Sequence, residues 1–425
     1  MCESYSGLKR NVAAFTVCAL SACARTRTPP HVLTLSGSAV GRESAVIERQ
    51  LERFHDAHPS VAVAVRATPD AADQRHQLYV QWLNARASDP DVLQLDVVWT
   101  PEFAAAGWIA DLDRFRPPAR DFFGAAIAAC RWNDSLFALP WFIDVGMLYW
   151  RTDLVPHPPA DLHDLVELAR GAISNHRDVP YGFVWSGARY EGLVTVFLEH
   201  LGAFGGRILD DQGRVVVDSD AAEKALTFMR DTIHLDGVVP QAVLTWHEEE
   251  ARFVFQNGRA VFMRNWPYAD ELLQDASQSS VAGHFAVTSM PGTAAGAPTA
   301  ALGGSVLAVN AYSDQPKEAY ELIEFLLQPQ QMLERAQVTG QYPTRPALYR
   351  TQELAAVLKL PPDAVLSIIA HATPRPVTPV YSQLSEILQV ALHRALTRQQ
   401  EPRAALREAA TTMRALLSKV KLDSH

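Results

Sequence analysis

The chain has few cysteines, no excess of basic charge and no long apolar run. Four cysteines in 425 residues exclude a disulfide-stapled scaffold. Lys and Arg number 38 against 47 Asp and Glu, a net charge of −9, which argues against a nucleic-acid binder with its basic stripe. No apolar stretch reaches the roughly 18 residues that cross a bilayer. Catalytic signatures are missing too. There is no phosphate-binding G-x-x-x-x-G-K-[ST] loop and no G-x-G-x-x-G opening a helix. Gly303-Gly304-Ser305 lacks the spacing of a nucleophile elbow. His247-Glu248 begins like a zinc-protease helix, but residue 251 is Ala where the second His must stand, so neither a metal nor another cofactor is expected. The fourteen histidines are scattered. Carboxylates are too numerous for the sequence alone to exclude a glycosidase pair.

What is present is a core-forming composition, 48% apolar and 20% charged. At roughly 150 residues per domain, the length predicts two or three domains or one large two-lobed body. Lys9 and Arg10, the apolar stretch Val12 to Leu20 and then Leu20-Ser21-Ala22-Cys23 follow the order of a secretory signal. The end of that segment resembles a bacterial lipobox, with Cys23 as the lipidated residue; the alternative is a plain cleaved signal with an incidental cysteine. Residues 1–23 therefore read as a lipoprotein signal and 24–30 as a tether. Once the signal is removed, Cys130 is the other cysteine left, expected to be a buried core residue.

From residue 32 onward, short apolar runs alternate with helical stripes. Val32–Leu35, Val61–Val65 and Leu93–Val98 read as strands. Val46, Ile47, Leu51 and Phe54 recur at helical spacing, Asp161 and Ser219 are placed to cap helices, and Pro316 suits a first helical turn. The alternation predicts an α/β protein with a parallel sheet. Aromatic residues beside carboxylates and glycines then mark element ends: Asp96 to Trp99, Leu139 to Trp150, and Asn265-Trp266-Pro267-Tyr268. A flat ring next to a carboxylate suits a sugar, because the ring covers the apolar C–H face while the carboxylate accepts hydroxyl hydrogen bonds. Trp99 and Trp150 read as core residues. Trp266 and Tyr268 read as ligand contacts on a loop exposed by Pro267.

Leu139-Pro140 through Asp153-Leu154, Phe255-Gln256-Asn257-Gly258-Arg259-Ala260 with Asn265-Trp266, Gly303 through Val309, and Gln341-Tyr342-Pro343-Thr344-Arg345 carry a resemblance. In that order they resemble the extracytoplasmic solute-binding proteins of ABC sugar importers, the group that includes maltose- and trehalose-binding proteins. Asp96 to Trp99 and Arg375 to Tyr381 are most similar to the trehalose-binding branch. The resemblance implies an α/β fold of two lobes joined by hinge strands, with a cleft between them. The chain is expected to cross near Phe142–Gly146, Gly296–Ala301 and Val338–Tyr342. One lobe would combine 31–142 with 301–338, and the other 146–298 with 342–425.

Residue by residue, the resemblance implies ligand contacts at Asp96, Asp144, Trp266, Tyr268, Gly303, Gly304, Arg375 and Glu248, with Glu249 as a substitute for Glu248 and Glu43 as a further candidate. Ser305 stands where a large residue is common and Phe142 where tyrosine is common, which bears on pocket size. The implied protein is not an enzyme. It is a monomeric lipoprotein, periplasmic or cell-surface, that captures a disaccharide such as trehalose or maltose and delivers it to membrane permease subunits without contacting nucleic acid. The alternatives are an oligosaccharide or a glycerol phosphate as ligand, or a glycosidase.

Overall fold

The computed structural model describes residues 31–38 and 41–423. The expected signal, Cys23 and the tether lie outside the described residues. The strands are β1 (His31–Gly37), β2 (Val61–Ala67), β3 (Val92–Asp96), the short hairpin β4 (Arg131–Trp132) and β5 (Ser135–Leu136), β6 (Leu139–Val145), β7 (Met147–Arg151), β8 (Tyr181–Val184), β9 (Ala260–Asn265), β10 (Phe285–Ser289), β11 (Leu302–Val309) and β12 (Tyr342–Pro343). They form a six-stranded sheet ordered β12-β6-β11-β3-β1-β2 and a four-stranded sheet ordered β10-β7-β9-β8.

The helices follow from the apolar spacing. Val46, Ile47, Leu51 and Phe54 are buried on helix Glu43–Ala57. Asp161 caps helix Leu162–Asn175 by accepting the amides of His163 and Asp164, both at 2.8 Å. Ser219 caps helix Asp220–His234 through the Ala222 amide, and Pro316 opens helix Pro316–Leu326. One apolar core lies around the larger sheet. A second gathers helices Leu162–Asn175, Glu191–Ala203, Asp220–His234 and Tyr381–Leu396 against the smaller sheet. Cys130 and Trp99 are buried in the first core, and Trp150 packs partly buried on the second.

Two expectations are corrected. The sheets are mixed, not parallel: β1 pairs in parallel with β2 and β3, whereas β11 runs antiparallel to both β3 and β6. Strand direction depends on partners far along the chain, and apolar runs do not encode it. The third crossover is not at Val338–Tyr342. Gly340, at φ +73, ends helix Pro329–Thr339 and turns the chain so that Tyr342 and Pro343 pair with Ile143 and Phe142 at the edge of the larger sheet. An edge position tolerates a proline because no ladder amide is needed there. The chain crosses later, at Thr373. Its amide donates to Ala300 O (2.8 Å) and its carbonyl accepts from Leu302 N (2.9 Å), while Gly146 N donates to Ala301 O (3.1 Å). Three crossovers thus lie side by side between the lobes.

Candidate functional site

All nine residues singled out in the sequence line one cavity of ≈ 340 Å³ between the lobes. Asp96 ends β3 and Asp144 sits one residue before the end of β6; Gly303 and Gly304 begin β11 between those strands. Glu43 comes from the first turn of its helix. From the other lobe come Trp266 and Tyr268, just past β9, together with Glu248 and Arg375.

The aromatic platform is built differently from the expected exposed loop. Pro267 is buried, and so is Tyr268, at 8% exposure. Tyr268 Oη donates to Glu249 Oε1 at 2.7 Å, and Glu249 is already held at both oxygens by Arg252 (2.9 and 2.6 Å). Trp266 alone of the pair is partly exposed. Its Nε1 approaches Glu248 Oε1 at 3.4 Å, and its ring lies 4.0 Å from the Arg264 guanidinium. Arg264 forms a bidentate pair with Glu199 at 2.8 and 2.6 Å, both side chains fully buried. A side chain on Gly303 would stand 3.1 Å from the edge of the Trp266 ring, so glycine lets the strand run beneath the indole. Gly304, at φ +124, lies where β11 meets Phe142, and a Cβ there would come within 2.3 Å of the Phe142 carbonyl oxygen.

The acidic residues differ in how far they are satisfied. Asp96 Oδ1 accepts from Arg375 Nη2 at 2.7 Å, so these two expected contacts meet each other across the lobes. Glu43 accepts from Gln341 Nε2 and lies 3.9 Å from Arg335. Asp144 Oδ1 is buried with no hydrogen-bond partner among the described residues. Burial first, and then the charges of Glu43 and Asp96, push its carboxyl up to about 8, against the pull of Arg335 and Arg264. Ser305 lines the cavity and accepts from Gln94 Nε2 at 3.0 Å. Phe142 is buried within 5.4 Å of the Arg335 guanidinium and does not line the cavity.

Several lining residues had no signal in the sequence, among them Gln94, Tyr190 and Glu191. Gln94 Oε1 and Tyr190 Oη, both on buried side chains, have no partner among the described residues, and neither does Arg375 Nε. Gly192 is the one local hint, since a Cβ there would strike the Tyr190 hydroxyl at 2.1 Å. Gln94, Asp144, Tyr190 and Arg375, each with a deeply buried polar atom, thus line one cavity. Buried polar atoms without partners are costly.

Two α/β lobes, three adjacent crossovers and a polar cleft under an indole define a hinged receptor for a small solute. The family model of the bacterial extracellular solute-binding proteins matches residues 41–333. A probable ABC transporter-binding protein of Deinococcus radiodurans is 36% identical over 369 residues, 83% of this chain and 85% of that protein. The maltose-bound MalE3 of T. maritima superposes with a TM-score of 0.87 at 40% identity, over 91% of this chain and 99% of that one. The GacH receptor of Streptomyces glaucescens, solved with acarbose, shares the fold at a TM-score of 0.82 and 22% identity, over 92% and 99% of the two chains. The chain belongs to the bacterial extracellular solute-binding proteins, and its place among them is with the solute-binding proteins of ABC sugar importers. Family and fold are those of binding proteins that release their ligand unaltered.

Proposed function

We propose that the chain captures a neutral disaccharide of the maltose or trehalose kind outside the cytoplasmic membrane, as a monomer anchored by lipid on Cys23, and hands it to the permease of its importer. The observation that carries this reading is the convergence of Trp266, Asp96, Asp144, Gly303 and Arg375 on a cavity of ≈ 340 Å³. That volume lies at the small end of the roughly 300–1,000 Å³ typical of small-molecule sites. The maltose held by the 40% identical MalE3 supports it. Seven acidic side chains besides Asp144, against two arginines, surround the cavity and disfavour an anionic ligand such as a glycerol phosphate.

In this reading Asp96 and Asp144 accept hydroxyl hydrogen bonds from the first lobe while Trp266 stacks on the ring from the second. Each charge-assisted bond contributes about 1.5–3 kcal/mol once water is excluded, and most of it offsets desolvation and ordering. A micromolar dissociation constant, about −8 kcal/mol, is the expected outcome. A ligand that touches both lobes shifts the balance toward the closed form that the permease reads. A thermal-shift screen over neutral disaccharides, with chromatography of the incubated sugars, tests this. Maltose or trehalose should raise the melting temperature and be recovered intact. No shift with any disaccharide refutes the substrate class, and cleavage products refute pure binding.

A further inference from the structure

A second cavity, ≈ 560 Å³, lies between the same two lobes, walled by helix Ala72–Asn84 on one and helix Tyr381–Leu396 on the other. It shares Ala72 and Glu191 with the ligand cleft, so the two spaces adjoin. A bar of hydrogen bonds runs between them. Glu191 is the first residue of helix Glu191–Ala203, and its backbone amide donates to Asp73 Oδ2 of the other lobe at 3.1 Å. The opening amide of that helix is thus capped across the gap, a job usually done by a neighbouring side chain. The Glu191 carboxylate accepts from Arg375 Nη1 (2.9 Å) and Tyr381 Oη (2.6 Å), and Arg375 continues to Asp96. Glu191 and Arg375 are 7% and 4% exposed, so the second lobe's half of the bar is buried, while Asp73 and Asp96 are half-buried.

We propose that this bar sets ligand length: when the lobes meet, Asp73 and Asp96 of one and Glu191 and Arg375 of the other form an end wall that admits a two-ring sugar and rejects a longer chain. The inference rests on the disaccharide reading and names the ring count the same site takes. A third ring leaving the cleft on this side must part Asp73 from the Glu191 amide and Asp96 from Arg375. Those are bonds to charged groups, the ones that cost most to leave unmade when buried. The space beyond is no obstacle. It is larger than the cleft, and its exposed lining of Gln77, Gln81 and Gln383 is the kind of surface that hydrogen-bonds sugar hydroxyls. The bar, and not the chamber behind it, does the excluding.

Calorimetry of the full chain with maltose, maltotriose and maltotetraose tests the proposal, using the wild type, Asp73→Ala and Gln383→Trp. The wild type should bind maltose at least tenfold more tightly than either longer sugar. Asp73→Ala removes the first lobe's cap but leaves the Glu191–Arg375 pair, and it should narrow that ratio at least threefold. Gln383→Trp, on the exposed wall beyond the bar, should change no affinity by more than twofold. Equal binding of maltose and maltotetraose by the wild type overturns the proposal, as does an unchanged ratio in folded Asp73→Ala. A selective loss of maltotetraose in Gln383→Trp also overturns it, because a ring would then lie beyond the bar. If Asp73→Ala fails to fold, by circular dichroism, the wild-type series and Gln383→Trp still decide. A folded protein that binds none of these sugars, nor trehalose, refutes the disaccharide reading itself and takes the proposal with it.

Discussion

On the proposed reading, Asp144 is the cleft residue whose charge a bound sugar should change most, a change that would be measurable as protons. Burial, with Glu43 on one side and Asp96 on another, raises its carboxyl to about 8, while Arg335 and Arg264 pull the other way. At pH 7 such a group is about nine-tenths neutral, from the ordinary titration relation. A sugar hydroxyl donating to the Asp144 carboxyl favours the ionised form, so binding near neutrality should release up to one proton. The dissociation constant should then fall with rising pH by up to about tenfold per pH unit, or ~1.4 kcal/mol, and level off above pH 8. Calorimetry in buffers of different ionisation enthalpy reads the proton directly. Asp144→Asn cannot titrate, so it should bind at least tenfold more weakly at pH 8 and lose the pH slope. The sign for stability is opposite. A carboxyl raised in the folded protein binds its proton more tightly there than in the unfolded chain, so stability falls as pH climbs from about 4 to 8, and the Asn variant should lack that fall. A flat affinity profile with no proton released would refute the reasoning, and so would an equal slope in Asp144→Asn.

Two further outcomes test the platform and the hinge. Trp266→Ala should weaken sugar binding at least tenfold by calorimetry, because it removes the partly exposed indole of the site; unchanged affinity would deny it a stacking role. Gly146→Ala should destabilise the fold by about 3–5 kcal/mol in urea titration, since the new methyl would fall 1.6 Å from Glu199 Oε1 and break a buried pair. A wild-type midpoint would mean that the crossover yields without cost.

Periodicity carried the helices because each buries a stripe that local spacing already draws, as at Val46, Ile47, Leu51 and Phe54. Caps were legible for the same reason: Asp161 acts on amides two and three residues away. What stayed hidden is set by partners far off in the chain. Arg375 and Asp96 are 279 positions apart, and no local pattern says that they meet each other as well as a ligand. Tyr342–Pro343 is too short to read as a strand, and its pairing with β6 moved a lobe boundary by some thirty residues, from Val338–Tyr342 to Thr373. The ring pair at 266 and 268 was found by composition, but its exposure was misjudged, because Pro267 is buried and Glu249 already occupies the Tyr268 hydroxyl. Resemblance supplied the site residues that spacing alone could not; Gln94, Tyr190 and Glu191 fell outside both.

The buried Arg264–Glu199 pair joins the hinge to the ligand platform. Glu199 Oε1 takes the Ala301 amide at 3.1 Å as well as Arg264, and Ala301 is itself bonded to Gly146, so one carboxylate is fastened to two of the three crossovers. Arg264 carries that anchorage to the face of the Trp266 indole. A fully buried ion pair is weak grounds for stability, since well-packed apolar groups of similar volume often serve as well. What an apolar pair would not supply is direction: a fixed guanidinium plane under the ring and a fixed acceptor beside the hinge. The indole is therefore positioned from the crossovers themselves; on the proposed reading it would move with the second lobe, and Asp96 and Asp144, on β3 and β6, with the first. A ligand that spans indole and carboxylates then gains contacts as the lobes approach that neither lobe offers alone, and that difference in contact is what allows binding to drive closure.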